Sequence, residues 1–119
     1  MDRVEINGVE YVRADASTAE EDTKGQPCVI VRSHGAGVFC GYVRERDRAT
    51  KTIVLDRCIR LWRWTGCSLS QVAQDGTAGT GENKFSVPVD NHEIADVIEV
   101  IPCTARARAA IEAVKPWKL

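Results

Sequence analysis

The sequence predicts an α+β fold, an antiparallel sheet (partly barrel-like) with two short helices. Three observations point to it. Residues 51–64, KTIVLDRCIRLWRW, form one long strand-like run holding two of the three tryptophans. Directly after it, Ser68 followed by Gln71 marks a helix start, and Thr104 marks a second one near the C-terminus. The other apolar runs are short and separated by turn-forming residues, the pattern of strands joined by tight connections.

In chain order, Val4–Val12 alternates around Asn7-Gly8 and predicts a hairpin. Residues 14–26 are polar and acidic (Asp15, Glu20, Glu21, Asp22) with no apolar period, which predicts a flexible loop. Cys28–Arg32 is a short buried strand, Ser33–Gly37 (SHGAG) a turn, and Val38–Arg44 the beginning of the next strand. Arg32 and His34 thereby stand at a strand-to-loop transition where backbone and ligand can come close. Residues 44–51, RERDRATK, alternate in sign and read as a solvated turn.

Read with period two, the central run puts Ile53, Leu55, Arg57, Ile59, Leu61 and Arg63 on one face. The other face carries Val54, Asp56, Cys58, Arg60, Trp62 and Trp64. Arg60 beside two tryptophans suits a planar anionic ligand, since indole rings stack on a base while a guanidinium forks onto phosphate. The same pattern also describes a tryptophan pair buried in a core with an arginine lying over it. A helix Leu69–Asp75 follows, closed by Gly76, and residues 77–83 make a second flexible loop. Lys84–Val89 is a strand with Phe85, Val87 and Val89 on one face and Pro88 hinting at an edge. Asp96–Ile101 is the last strand. The closing helix, 105–114, has a stripe of Ala107, Ile111 and Val114, and an Arg108–Glu112 pair at i,i+4; Pro116-Trp117 ends it.

The 119 residues are expected to form a single domain, 1–119, with its core completed by self-association. A net charge of −1 argues against a dedicated binder of long nucleic acid. With no run of membrane-spanning length and no leader pattern, a cytoplasmic protein with no membrane partner is expected. The middle of the chain is nevertheless positive: from Arg44 to Arg63 seven basic residues face only Glu45, Asp47 and Asp56. That local excess suits a small anion. The five cysteines include no CxxC pair, so neither a disulfide framework nor a zinc site is expected. Cys28, Cys40, Cys58 and Cys103 lie in apolar segments, where a reduced thiol serves as a small hydrophobe. No phosphate loop, catalytic triad or metal-ligand pair occurs, so no cofactor and no catalysis are expected. An enzymatic reading would have only His34 or His92 to carry it.

Three segments carry a resemblance. Val29–Val43, VIVRSHGAGVFCGYV, is similar to R-[ST]-x-x-A-G-V-x-x-G. Arg60–Thr77, RLWRWTGCSLSQVAQDGT, is similar to R-[IL]-W-x-W-x-G-x-x-S-L-x-x-x-A. KFSV, DVIEVIPCT and IEAVKPW follow in order between Lys84 and Trp117. These resemble a family of small bacteriophage proteins, the anti-Thoeris sponges that sequester cyclic ADP-ribose signals. The resemblance implies a cyclic nucleotide held uncleaved at a subunit interface, in homo-oligomers that are dimers and a hexamer of three dimers. It extends the expected ligands to cyclic oligonucleotides at a separate symmetric pocket, and it implies a host cell deprived of its immune signal. Arg60 matches a motif arginine, Phe85 matches an aromatic that stacks on adenine, and Lys84 with the preceding loop suggests an open rim there. Asp96, in Ala95-Asp96, stands where a small polar pair is expected; Arg106 and Arg108 both fit a second arginine. Ile59 stands where relatives carry the first of two arginines. The expected ligand-binding set is Arg60, Phe85, Arg32, His34, Trp62, Asp96 and Arg108. The alternative is a non-enzymatic phage protein binding another protein through its sheet edge and aromatic face.

Overall fold

The computed structural model describes residues 3–6, 9–12, 21–22, 24–64, 68–77 and 83–117. Strands β1 (Arg3–Ile6) and β2 (Val9–Val12) pair antiparallel with Ile6 opposite Val9, as the hairpin expectation required; the Asn7-Gly8 turn itself lies outside the described residues. The body is built from β3 (Cys28–Ser33), β4 (Gly37–Asp47), β5 (Thr52–Arg63), α1 (Leu69–Asp75), β6 (Lys84–Phe85), β7 (His92–Ile94), β8 (Val97–Pro102) and α2 (Ala105–Glu112). Its six strands form one antiparallel sheet in the order β6-β5-β4-β3-β8, and β7 shares the outer edge of β5 with β6.

The continuous apolar run CVIV makes β3 a strand buried on both faces, as a central strand should be. One face carries Cys28, Ile30, Cys40, Tyr42, Leu61 and Phe85, covered by Val72 and Ala73 of α1 and Ala107 and Ile111 of α2. Burying a side chain such as Ile111, 1% exposed, contributes about 1.5–3 kcal/mol. The other face holds Val29, Val31, Phe39, Ile53, Leu55, Cys58 and Ile94. Among the described residues no helix covers this second cluster; the curl of the sheet does. Only Ala95-Asp96 separates β7, paired to β5, from β8, paired to β3. Two residues can span that distance only if the sheet bends its edges together. The crossing is pinned by Ser33 Oγ donating to the Ala95 carbonyl (2.6 Å), His34 N–H to Asp96 (3.0 Å) and Val97 N–H to Lys51 (3.0 Å). The sheet stops short of a closed barrel: no β7–β8 ladder forms among the described residues.

The uniform period-two reading of residues 51–64 is corrected. Ile53 and Leu55 face the curled side, whereas Ile59 and Leu61 face the helices. A bulge causes the switch. Tyr42 pairs with Asp56 and Cys40 with Ile59, leaving Gly41 opposite both Arg57 and Cys58. Arg57 takes φ +47° there, and a Cβ on Gly41 would lie 3.1 Å from the Asp56 carbonyl and the Cys58 Cα. Carboxylates supply the missing partners: Asp90 accepts from Arg57 N–H (2.9 Å), and buried Asp56 accepts from Gln26 Nε2 (2.9 Å), Asn91 N–H (2.9 Å) and Arg44 Nε (3.1 Å).

Other boundaries shift for local reasons. The strand expected over 84–89 ends at Phe85: Ser86 Oγ accepts from Arg60 N–H, Pro88 has no N–H to give, and Val87 and Val89 are exposed. Helix α1 has the expected bounds, with Ser68 Oγ accepting from Gln71 N–H; Thr104 caps α2, which ends at Glu112 rather than 114. In the segment expected to be a flexible loop, Asp22 Oδ1 accepts from the N–H groups of Lys24 and Gln26, making an ordered turn; residues 13–20 and 23 lie outside the described set. Residues 78–82 of the second expected loop do too. Among the described residues no helix is long and apolar enough to cross a membrane.

Candidate functional site

Between the helix-covered face and α2 lies a cavity of about 250 Å³. Small residues create it: Cys28, Cys40 and Gly41 on the sheet side leave room that the alanine-rich helix does not fill. Phe85 forms part of its wall and Tyr42, Arg57 and Arg108 stand around it. Tyr42 is gripped by two cations, with the Arg57 guanidinium 3.7 Å from its ring centroid and that of Arg108 at 5.9 Å. Its hydroxyl donates to Glu112, and burial, reinforced by that acceptor, pushes its pKa well up, so it stays a neutral donor. Arg108 also lies 3.6 Å from Glu112 and donates to the Glu21 carbonyl (3.2 Å), while Arg57 pairs with Asp22. An apolar floor with two guanidinium groups near an aromatic ring can seat a flat ring system and hold an anion beside it.

The residues expected to form one site fall into three places. Phe85 and Arg108 meet at the cavity, but the open rim expected for Phe85 is not found: it is 1% exposed, paired with Leu61 and part of the core. The periodicity that made it a core residue carried the correct signal. Arg60 lies on the opposite face. It pairs across the ladder with Phe39, its guanidinium sits 4.6 Å from that ring's centroid, and Nη1 donates to the Ala36 carbonyl (2.8 Å). Near the same end of the sheet, Arg32 pairs with Glu99 (2.9 Å) and His34 is exposed on the 34–36 turn, bonded to Asp96, itself at φ +54°. Arg60, Arg32, His34 and Asp96 thus gather around one turn, away from the cavity. His92 flanks Phe39 edge-on at 5.3 Å, and burial, then Arg60, depresses its pKa, keeping it neutral. Trp62 is the third place: 62% exposed, meeting Trp117 edge-on at 5.0 Å, with Lys84 Nζ 5.1 Å from the Trp117 ring centroid. Trp64 instead packs against the helix-side core, so the two tryptophans do not form one platform.

One grouping escaped sequence reasoning. Cys28 on β3, Cys40 on β4 and Cys103 just past β8 place their sulfurs within 4.8 Å of one another, all buried. Spacings of 12 and 63 residues carry no motif, and only the sheet topology brings these thiols together. The Cys103 and Cys40 thiols donate toward Cys28 and pull its pKa down, while the pKa values of the two donors rise. Cys58, in the other core cluster, is an ordinary buried thiol that burial pushes up to about 12.

A family model described as Domain of unknown function (DUF6948) matches residues 26–111, from just before β3 nearly to the end of α2. No curated protein and no solved structure matches the chain.

Proposed function

The chain belongs to the DUF6948 family, and we propose that it is a non-catalytic binding protein that sequesters a small cyclic nucleotide. The observation that carries this reading is the cavity beside Tyr42, with the Arg57 and Arg108 guanidinium groups both near that ring. At about 250 Å³ it matches the base and sugar portion of a nucleotide rather than a whole dinucleotide. The base sits against the apolar wall, and the phosphates stand toward the two guanidinium groups. The ligand class, the sponge role against a host signal in an infected bacterial cytoplasm, and the homo-oligomer come from the family resemblance in the sequence. Exposed Trp62 and Trp117 are the candidate contacts between copies.

The test is to incubate the purified protein with cyclic ADP-ribose isomers, remove free ligand, denature by heat and identify what is released. Intact ligand is the expected result. An altered ligand means turnover and rejects a sponge; no uptake rejects nucleotide binding and favours a protein partner on the aromatic edge. Arg108→Ala should weaken retention by losing a charge-assisted contact of about 1.5–3 kcal/mol, roughly tenfold to a hundredfold in affinity. Arg60→Ala should retain the ligand. If Arg60→Ala alone abolishes uptake with the fold intact, the ligand lies at the turn on the opposite face and the cavity assignment is wrong.

A further inference from the structure

We propose that Cys28, Cys40 and Cys103 form a binding site for a thiophilic divalent cation of the zinc class, with three sulfurs from the protein and a fourth ligand entering from the cavity. The sulfurs come from two neighbouring strands and the segment after a third, and the frame is fixed. Cys103 N–H donates to the Cys28 carbonyl at 3.0 Å, and in the β3–β4 ladder Cys28 stands opposite Tyr42 and Cys40 opposite Ile30, which makes the two cysteines diagonal neighbours. A metal–sulfur bond of about 2.3 Å in tetrahedral geometry needs sulfurs roughly 3.8 Å apart. The observed separations, all within 4.8 Å, reach that by small side-chain rotations without moving a strand.

The surroundings suit the charge. Binding a divalent cation to three thiolates displaces the thiol protons to solvent and leaves the cluster one negative charge, and Arg57 and Arg108 line the cavity it adjoins. The three sulfurs, all buried and within 4.8 Å of one another, already surround a common point. Cys28 and Cys40 line the cavity wall, so water or a ligand donor can reach the metal from that side, the arrangement of an open rather than a closed site. A soft cation is selected over magnesium or calcium because no oxygen donor belongs to the triad. The inference does not depend on nucleotide binding, and the two can fail separately.

The test uses the full chain, reduced by a non-thiol reductant, titrated with cadmium chloride. The expected result is an ultraviolet thiolate-to-metal charge-transfer band that saturates at one equivalent and is reversed by zinc. Cys28→Ser, Cys40→Ser and Cys103→Ser should each weaken binding by at least about tenfold. Cys58→Ala and Cys67→Ser, which leave the three sulfurs in place, should keep it. X-ray absorption at the cadmium edge on the unsubstituted protein should count three sulfur ligands, a reading that holds even if a serine variant does not fold. No band, a band that survives in all three serine variants, or fewer than three sulfur ligands would overturn the assignment.

Discussion

Phe85→Ala separates the two roles that sequence periodicity and family resemblance assign to one ring. The side chain is 1% exposed, lies in the helix-side cluster and stands opposite Leu61 in the β5–β6 ladder. Truncating a buried phenylalanine costs about 3–5 kcal/mol through lost burial and the void left behind. Part of this ring already borders the cavity, so the void adds less than in a sealed core, and about 3 kcal/mol is the working figure. An unfolding entropy of about 2.1 cal/mol/K per residue gives roughly 0.25 kcal/mol/K for a chain of 119 residues. The melting temperature of the ligand-free protein should therefore drop by about 12 °C. Differential scanning calorimetry measures it directly. A drop smaller than about 4 °C, on the same entropy scale, would mean that the ring is not part of the core and that the packing described for β6 is wrong.

Two further outcomes follow from particular contacts. Asp56 is held at about 2, by Gln26 first and then by Asn91 N–H and Arg44, whereas an aspartate in an unfolded chain titrates near 3.9. Its contribution is therefore present in full above about pH 4 and is lost as pH falls towards 2. The melting-temperature gap between the parent and Asp56→Asn should narrow across that window, and a constant gap would reject the carboxylate's role at the bulge. Gly76 closes α1 at φ +82°, ψ −168°, where a Cβ would overlap that of Ala110 on α2. Gly76→Ala should cost at least about 2 kcal/mol, or roughly 8 °C, since both backbone strain and helix separation must be met. A melt within about 2 °C of the parent would show that the α1–α2 contact is looser than described.

The elements with local signals were legible in the sequence. Ser68 and Thr104 place the two helix starts because a side-chain oxygen followed by free N–H groups is a signal spelled within four residues. The alternation of residues 51–64 identified the longest strand but could not reveal that Gly41 faces two residues at once. A bulge is set by the partner strand and by Asp56 and Asp90, whose own roles are visible only after folding. Every facing assignment beyond residue 57 depends on it. Arg60 meets Phe39 on the curled side, whereas Trp64, just past the end of β5, packs against the helix-side cluster. The expected binding residues were drawn from motifs close in sequence, and of them Arg60, Arg32, His34 and Asp96 gather around the 34–36 turn, while Trp62 meets Trp117 elsewhere. The cavity and the three sulfurs instead join β3, β4, β6, α2 and the segment after β8, elements that meet only through the sheet order. Cysteine makes the point sharply. Cys58 and Cys40 read alike in sequence, each a thiol in an apolar run; the bulge puts Cys58 among apolar side chains with no other thiol in its cluster, while the β3–β4 register puts Cys40 beside two other thiols. Chemistry that resides in convergence rather than in spacing is invisible until the strands are ordered: the β3–β4 and β3–β8 pairings bring the three sulfurs together, and the bulge at Arg57 decides which face of β5 meets the cavity.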